Sequence, residues 1–377
     1  MDKFCGGLYR LGDKVIVFFA LLSAGVLLFC NLLRTCWVGY DTMELIDTGE
    51  TPRIFIFLAV AVLVILLILQ EKLAHLQEKY VFRFFMILYL IAGVYWILNI
   101  SPSVRADAMH VRNGAIMSAQ GDFTFLELGQ DIRNHPWQLG MITYERLLGM
   151  FSKNVQLLFL VNLFMILGIN YMTYRLADLV FSHNHKTNLL TIVFTFCFLP
   201  QFFFLAFAYG LIPGFFFLMG GFYFQQKYFA EKKTWQVVVC IVMAVIAVIL
   251  KGNNLVGGIA MALLFFMRLL KERKLRYILM ALALMIGIQA SGPLTIAAYE
   301  RESGIELNSG EPKLLYIAMG IWPENRENGV GRYCGYNDYT FGQANFDPEV
   351  ANEMAKEHIA ESVAHYMADP KDAVAFL

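Results

Sequence analysis

Residues 101–154 read SPSVRADAMHVRNGAIMSAQGDFTFLELGQDIRNHPWQLGMITYERLLGMFSKN. This stretch is too polar to span a bilayer, whereas nearly every other long segment of the chain is apolar enough to do so. It crowds together the ionisable residues Arg105, Asp107, His110, Arg112, Asp122, Glu127, Asp131, His135 and Glu145. Apolar residues at helical spacing, Ala108, Val111, Ala115 and Ile116, predict one helix, and residues 139–151 predict a second. We interpret the stretch as a structured loop on the membrane surface and expect the chemistry there.

Outside this loop the composition is typical of a membrane protein. Of the 377 residues, 58% are hydrophobic and 16% are charged, and the mean hydropathy is +0.55. Soluble domains are about a quarter charged. The apolar residues occur in blocks of roughly 17 to 25, the length that crosses a bilayer as a helix, and not in the short alternating segments of a β-barrel. The sequence therefore predicts an all-α polytopic membrane protein embedded in the lipid bilayer.

Nine apolar blocks predict nine membrane spans, at residues 15–33, 54–69, 84–98, 155–174, 189–207, 211–224, 235–250, 255–270 and 277–298. Lysine and arginine gather in every second connection, the last of which is the run at 271–276. Short basic connections stay on the cytoplasmic side. We therefore expect a multi-pass protein of the cell membrane with a cytoplasmic N-terminus, and an extracytoplasmic active site in the loop at 101–154.

The chain divides into four parts. These are the N-terminal transmembrane helices (1–100), the extracytoplasmic loop with the candidate active site (101–154), further transmembrane helices (155–298) and an extracytoplasmic segment (299–377). Within the last part, Asp347-Pro348-Glu349 predicts a helix start, because proline suits the first helical turn and acidic residues suit the N-terminus. We interpret the apolar end, residues 373–377, as the beginning of a truncated further span.

Asp107 directly follows the third predicted span and is the leading candidate for chemistry. A carboxylate there can take a proton from a hydroxyl as a general base, or it can cap a helix and face water. His110 lies three residues later on the same helix face, and Arg105 and Arg112 flank both. A lone histidine does not indicate a metal site, and six cysteines without CxxC spacing indicate neither zinc nor disulfides. The sequence therefore supports no metal ligand.

Residues 134–140, Asn-His-Pro-Trp-Gln-Leu-Gly, form a second candidate segment that includes His135 and Gln138. Pro136 biases the residue before it towards an extended conformation. Trp137 and the nearby Tyr144 suit either a membrane interface, where aromatic side chains act as anchors, or a surface on which a sugar stacks. Both interpretations remain open for these two aromatic residues.

Residues 251–254, Lys-Gly-Asn-Asn, interrupt two apolar runs with almost no connection between them. Lys251 either extends to the outer interface or, with Asn253 and Asn254, holds a lipid-linked phosphate. The stretch 331–338 mixes glycine, tyrosine and aspartate and either lines a site or forms a turn. There is no glycine motif for nucleotides, and no basic patch with interleaved aromatics outside the cytoplasmic connections, so we expect no nucleic-acid partner.

The same segments carry a resemblance to the polytopic GT-C glycosyltransferases, and among them to bacterial proteins related to the protein-mannosyltransferase and aminoarabinose-transferase group. Asp107, followed by a short helix and a glycine turn at 119–122, resembles that family's first-loop pattern. Residues 135–140 resemble its Tyr-Pro-His-Gln-x-Gly motif, with His135 in place of the tyrosine and Trp137 in place of the histidine. Residues 251–253 resemble a Lys-x-Asn motif. In the family this loop follows the first span, whereas here it follows the third.

The resemblance implies that a sugar moves, with inversion, from a polyprenyl-phosphate-linked donor to a hydroxyl of a glycan or protein acceptor, in cell-envelope glycan assembly. Asp107 would be the base, and Lys251 would stabilise the departing phosphate. The implied substrate-binding residues are Arg105, His110, Arg112, His135, Trp137, Gln138, Tyr144, Lys251, Asn253 and Asn254. Alternative carboxylates for the base are Asp41, Asp47, Asp122 and Asp131. The wider fold has members that need a divalent metal and members that do not, and this sequence leaves the cofactor unknown.

A membrane transporter or a flippase for lipid-linked glycans is the alternative function, because residues 210–214 and 251–253 look like breaks in membrane helices. Transporters place ionisable residues at mid-membrane. The predicted spans hold almost none of them, which favours chemistry at the surface. A non-catalytic scaffold would tolerate the loss of Asp107.

Overall fold

The computed structural model of the protein describes residues 2–38, 46–73, 75–325 and 333–376. The helices are α1 Asp2–Leu33, α2 Arg53–Leu73, α3 Glu78–Asn99, α4 Ala106–Ser118, α5 Asp131–Asn134, α6 Leu139–Gly149, α7 Val155–Val180, α8 His185–Cys197, α9 Leu199–Phe203, α10 Leu211–Glu231, α11 Thr234–Leu250, α12 Leu255–Glu272, α13 Arg276–Ser303, α14 Lys313–Gly320, α15 Tyr336–Gln343, α16 Pro348–Ala368 and α17 Pro370–Phe376. Short 3₁₀ turns lie at Thr124–Leu126, Pro136–Gln138, Phe204–Ala206 and Gly252–Asn254.

Within the described ranges, five helical segments are long and apolar enough to cross a membrane. They are Gly6–Leu33, Glu78–Asn99, Val155–Val180, Gly252–Glu272 and Arg276–Ser303. The apolar helices Arg53–Ile68 and Thr234–Leu250 are shorter. The expected all-α, multi-pass membrane architecture is thereby confirmed, but among the described residues five segments, or six if the bent pair α8–α9 is one span, meet the requirements of a membrane span where nine were predicted. Eight of the nine predicted spans fall within single helices, and the ninth, at 189–207, is interrupted. A two-stranded antiparallel hairpin, β1 (Arg34–Val38) with β2 (Ile46–Glu50), joins α1 to α2 and was not predicted.

The predicted continuous span at 189–207 is wrong in one respect, because the chain bends by 49° between α8 and the segment Leu199–Ala206. Pro200 has no N–H to donate to the carbonyl of Phe196, which a continuous helix would require. The hydroxyl of Tyr89 donates to that carbonyl instead. The amide of Asn162 on α7 donates to the carbonyls of Leu205 and Phe207, at 3.1 and 3.2 Å. The break is therefore satisfied by side chains of neighbouring helices.

Two apolar clusters form the membrane part of the protein. The first joins α3, α7 and α8 and includes Tyr89, Phe159 and Phe196. The second joins α10, α11, α12 and α13 and includes Phe265 and Tyr277. Helix α10 packs along both α11 and α7 and so connects the two clusters. Because α10 begins at Leu211, next to the end of α11, residues 207–210 and 251–254 meet at one end of the bundle.

The loop at 101–154 packs over that same end of the bundle. Its predicted helices are confirmed as α4 and α6. Val111 on α4 and Ile142 on α6 are fully buried, together with Leu126 from the turn between them. Helix α6 lies so close to α11 that a Cβ at Gly140 would be 2.4 Å from the carbonyl oxygen of Ile249. The loop is therefore a small packed unit with its own apolar core.

The segment after α13 forms a second packed unit. Leu315, Phe341 and Ala351 are buried where α14, α15 and α16 meet. The predicted helix start at 347–349 is confirmed, because α16 begins at Pro348 and the Asp347 carboxylate accepts from two backbone N–H groups of the first turn. Residues 326–332 lie outside the described residues, and with them the first part of the candidate stretch 331–338. Helix α17 covers most of residues 373–377, whose assignment to a further span stays a prediction.

Candidate functional site

Tyr209 and Lys251 come together where the loop covers the bundle, and the charge of Asp107 acts on both. Asp107 lies in the first turn of α4 and is exposed, and Lys251 ends α11 and is partly buried. The Lys251 Nζ lies over the Tyr209 ring, 4.1 Å from its centroid, in a cation–π contact. Burial lowers the pKa of Lys251, and the charge of Asp107 opposes that shift. Three residues distant in sequence thus share one electrostatic environment.

The charge of Asp131 acts on Tyr209, as does the charge of Asp107. Burial and the charges of Asp107 and Asp131 raise the pKa of the Tyr209 hydroxyl to about 12. Lys251 forms no salt bridge with any carboxylate in the described ranges. A partly desolvated ammonium without a direct carboxylate partner among the described residues can accept an anionic group of a ligand. We therefore take Asp107, Tyr209 and Lys251 as the core of the candidate site.

A second polar cluster joins the loop to the segment after α13. His135 Nδ1 lies 2.8 Å from the backbone carbonyl oxygen of Asp131 and 3.2 Å from its carboxylate. His135 Nε2 lies 3.4 Å from Glu311 Oε2. Asp338 completes the cluster, because one ligand atom from each of His135, Glu311 and Asp338 lies within 4.8 Å of the others. His135 and Asp131 were named from the sequence, and Asp338 belongs to the candidate stretch 331–338, whereas Glu311 was not named.

The hydrogen bonds around Glu311 explain how a fully buried carboxylate is tolerated. Its Oε2 accepts from the Tyr316 hydroxyl and from the Asn337 amide, each at 2.9 Å. Burial acts to raise the pKa of Glu311, but the contacts with His135 and Asn337 outweigh it and lower the pKa to about 2. Burial and the adjacent Glu311 raise the pKa of Asp338. Burial acts to lower the pKa of His135, but the bonds to Asp131 and Glu311 raise it to about 10.

Two clefts border the site. The first, of about 270 Å³, is lined by Trp137, Gly252, Leu255, Ile288, Pro293 and Lys313, and most of its wall is apolar. The second, of about 190 Å³, is more polar and is lined by His110, Asn113, Glu127, Gln130 and Asp131. Trp137 is 42% exposed, and its ring meets His135 edge-on. The candidate site therefore has an apolar cleft on the side of α11 and α13 and a polar cleft on the side of α4.

Several residues named from the sequence do not join the site. Arg112 is buried, where Nη1 lies 3.4 Å from Glu145 and Nη2 donates to the carbonyl of Lys153. The Tyr144 hydroxyl contacts Met165 Sδ at 3.8 Å. The Asn254 amide donates to the Ala247 carbonyl at 2.9 Å and so closes the end of α11. These three side chains have structural contacts that explain their positions.

The other named residues lie around the edge of the site. Arg105 precedes α4 and is exposed, as are His110 and Asn253. Gln138 is buried, and its Oε1 has no hydrogen-bond partner among the described residues. Thus Arg105, His110 and Asn253 are accessible to a ligand, whereas Gln138 lies beneath the surface.

The alternative carboxylates differ clearly from Asp107. Asp122 Oδ1 accepts from both the backbone N–H and the hydroxyl of Thr124, which lowers the pKa of Asp122 and accounts for its presence in a turn. Asp131 contacts His135, as described above. Asp41 lies outside the described residues, and so does the side chain of Asp47.

No protein-family model, curated protein or solved structure matches this chain. The function proposed below is therefore supported by the residues and by their geometry in this structure.

Sequence reasoning missed Tyr209 and Glu311 as site residues, and it included Asp338 only within the stretch 331–338, which either lines a site or forms a turn. Glu311 stands in the polar run Ser-Gly-Glu-Pro at 309–312, which has no motif of its own. The sequence feature that marks this position is the glycine before Glu311. Gly310 has φ of +72° and packs directly on the loop, where an added Cβ would be 2.4 Å from the Asn134 carbonyl oxygen. A glycine that permits such a close approach marks the place where the two units touch.

Proposed function

We propose that the protein is a GT-C-like glycosyltransferase that moves a sugar from a polyprenyl-phosphate-linked donor to a hydroxyl acceptor at the extracytoplasmic face of the cell membrane. The observation that carries the proposal is the contact of Lys251 with Tyr209, close enough to Asp107 for its charge to act on both, at the end of a membrane helix bundle and beside a mainly apolar cleft. Such a donor has an apolar chain, a phosphate and a sugar, and the site offers a partner for each.

The phosphate of the donor is assigned to Lys251. The ammonium is partly buried at the boundary between the apolar helices and the polar loop, which is where the phosphate of a membrane lipid lies. A positive charge placed there stabilises the negative charge that develops on the leaving phosphate. Tyr209 holds the lysine side chain in place through its ring. Lys251 therefore acts on the leaving group rather than on the acceptor.

Asp107 is assigned the role of general base. Its carboxylate takes the proton of the acceptor hydroxyl, and the hydroxyl oxygen attacks the anomeric carbon of the sugar. The bond between that carbon and the phosphate oxygen breaks, and polyprenyl phosphate leaves with the electron pair. The configuration at the anomeric carbon inverts, because attack and departure occur on opposite faces.

The cleft of about 270 Å³ between α11 and α13 suits the first isoprene units of the donor. Leu255, Ile288 and Pro293 supply an apolar wall, and Trp137 lies at the end nearest the loop. The polar cleft beside His110 and Asp131 is lined by α4 and the turn before α5 and suits a sugar or the acceptor. The Trp137 side chain thus lines the apolar cleft, whereas the Tyr144 hydroxyl contacts Met165 on α7.

The experiment measures the release of polyprenyl phosphate from radiolabelled polyprenyl-phosphate hexoses by full-length protein in proteoliposomes. Removal of a general base costs about 10²–10⁴-fold in rate. We expect that loss for Asp107→Asn, and slower release for Lys251→Met, because the lysine no longer stabilises the charge on the leaving phosphate. Asp122→Asn is the matched control, since its carboxylate serves the turn at Thr124. Unchanged release by Asp107→Asn, with full release by wild type, would move the base to Asp131.

A transporter or flippase remains the second candidate, because the bend between α8 and α9 is a broken helix of the kind found in transporters. The polar groups at this break are Asn162, Asn170 and Gln201, none of which is ionisable. Movement of a fluorescent polyprenyl-phosphate sugar between leaflets, without release of polyprenyl phosphate from any donor, would favour this function over transfer.

A further inference from the structure

His135, Glu311 and Asp338 have the composition of a transition-metal site. Their ligand atoms lie within 4.8 Å of one another, and His135 Nε2 is 3.4 Å from Glu311 Oε2. Zinc binds imidazole nitrogen and carboxylate oxygen at about 2.0–2.2 Å, so neighbouring ligands of a tetrahedral ion lie about 3.3 Å apart. The measured separation of the histidine and glutamate atoms fits that value. Only a small movement of Asp338, which is exposed, is needed to complete a three-residue site.

The hydrogen bond on the other side of the imidazole determines which nitrogen faces the carboxylates. His135 Nδ1 lies 2.8 Å from the backbone carbonyl oxygen of Asp131, and a carbonyl oxygen can only accept. Nδ1 therefore carries the hydrogen, and the lone pair of a neutral His135 is on Nε2. Metal-binding histidines are commonly oriented in this way, by donation from the second nitrogen to a carbonyl or carboxylate. The Asp131 carboxylate, at 3.2 Å from Nδ1, supports the same orientation.

The buried oxygen atoms of the cluster are an independent indication of a ligand. Glu311 has a fully buried side chain, yet its Oε1 has no hydrogen-bond donor among the described residues. Its second oxygen, Oε2, is already fixed by the hydroxyl of Tyr316 and the amide of Asn337. A buried carboxylate oxygen without a partner is costly. A cation bound by both oxygens of the Glu311 carboxylate would give Oε1 a partner, and would also lie between the carboxyl groups of Glu311 and Asp338.

We propose that His135, Glu311 and Asp338 bind one divalent transition-metal ion of the zinc type, and that this ion joins the loop at 101–154 to the segment after α13. Imidazole favours such ions over magnesium and calcium, which prefer oxygen ligands alone. The exposed side of Asp338 leaves a route for the ion and one open coordination position. The inference does not rest on the proposed transferase function, because the ion's role in it is to hold two parts of the chain together.

The test uses full-length, tag-free protein in nanodiscs, freed of metal with a chelator and then dialysed. Zinc binding is measured by elemental analysis, and Co²⁺ serves as a spectroscopic substitute whose visible absorption reports nitrogen and oxygen ligands. We expect one Zn²⁺ per chain in wild type and at least about tenfold weaker binding in Asp338→Asn and in His135→Asn. Glu306→Gln is the matched control, because Glu306 is an exposed carboxylate of the same segment.

A second measurement reports on the joining of the two units. Limited proteolysis at residues after α13 is expected to slow when Zn²⁺ is added to wild type, and to be unaffected by Zn²⁺ in Asp338→Asn. Failure of wild type to retain Zn²⁺ after dialysis would overturn the proposal. So would equal binding by wild type and both ligand variants. These results are independent of any sugar-transfer assay, so their failure is distinguishable from failure of the proposed function.

Discussion

Gly210→Ala should disturb the candidate site through packing alone. Gly210 precedes α10 and lies against the end of α11, where an added Cβ would be 2.1 Å from the carbonyl oxygen of Leu250 and 3.4 Å from the Cβ of Lys251. Ordinary contact begins at about 3.5 Å, so one of the two backbone segments has to move by more than about 1 Å. Gly210 has an ordinary φ of −64°, and backbone strain therefore adds nothing.

The magnitude follows from the kind of atom that is displaced. Overpacking in a tight contact costs about 1–3 kcal/mol, and it is costly here because the nearest atom belongs to the backbone and not to a flexible side chain. The shift also separates Tyr209 from Lys251, since each is adjacent to one of the two backbone segments that are forced apart. We therefore expect lower thermal stability together with slower release of polyprenyl phosphate.

Thermal unfolding in nanodiscs, followed by the fluorescence of the tryptophans, measures the first effect. Gly252→Ala is the matched control, because a Cβ at Gly252 meets nothing within 4 Å. The control should unfold at the temperature of wild type, and Gly210→Ala should unfold several degrees lower. Equal unfolding temperatures for the two alanine variants would refute the packing argument. A lower unfolding temperature with unchanged release would refute the assignment of Tyr209 and Lys251 to the site.

Two further predictions concern charges in the loop. Burial raises the pKa of Glu145 to about 7, with Arg112 opposing the shift. The carboxyl group of Glu145 thus binds its proton more tightly in the folded loop than in the unfolded chain. The free energy of unfolding should therefore fall by on the order of 3 kcal/mol as pH rises from 4.5 to 7. Hydrogen exchange of α4 and α6 at pH 5 and pH 7.5 measures this loss of stability. If the stability of Glu145→Gln fell equally with rising pH, the result would contradict the prediction. Arg146 and Glu302 form two hydrogen bonds of 2.8 and 2.6 Å, but their side chains are 31% and 43% exposed. Thermal unfolding should therefore show that Arg146→Ala costs less than about 1 kcal/mol of stability. A loss of several kcal/mol would show a larger role for this ion pair.

The membrane helices were predictable because one physical requirement dominates them. A segment in lipid must be apolar and must satisfy its own backbone, so length and hydropathy alone locate it. The bend after α8 was not predicted, although Pro200 was visible. A proline within an apolar run leaves the carbonyl four residues earlier without its backbone hydrogen bond. Whether the helix then breaks or only kinks depends on whether a neighbouring group donates to that carbonyl. Here that depends on Tyr89, from a different helix.

The candidate site was only partly predictable, and the reason is the sequence distance between its parts. Asp107 and Lys251 were named because each interrupts or follows an apolar block. Tyr209 has no local signal, and Gly310 beside Glu311 marks a close approach without showing what approaches it, since the roles of both residues depend on contacts with residues far along the chain. Arg112 was expected at the ligand site, but it is buried against Glu145. Helical spacing shows which residues share a face of a helix, but not which neighbour that face contacts.

The bond from the Glu311 N–H to the Asn134 carbonyl, at 2.8 Å, joins residues separated by nearly half of the chain. Contacts between such distant residues form late, since the intervening chain must be ordered first. Every helix from α6 to α13 lies between the two residues, so all of them must be inserted before the contact can close. The junction between the loop and the segment after α13 is therefore a natural last step of biogenesis. A chain with one misinserted helix would bring Glu311 to the wrong side of the membrane and leave the loop uncovered, in a form that quality-control proteases can recognise.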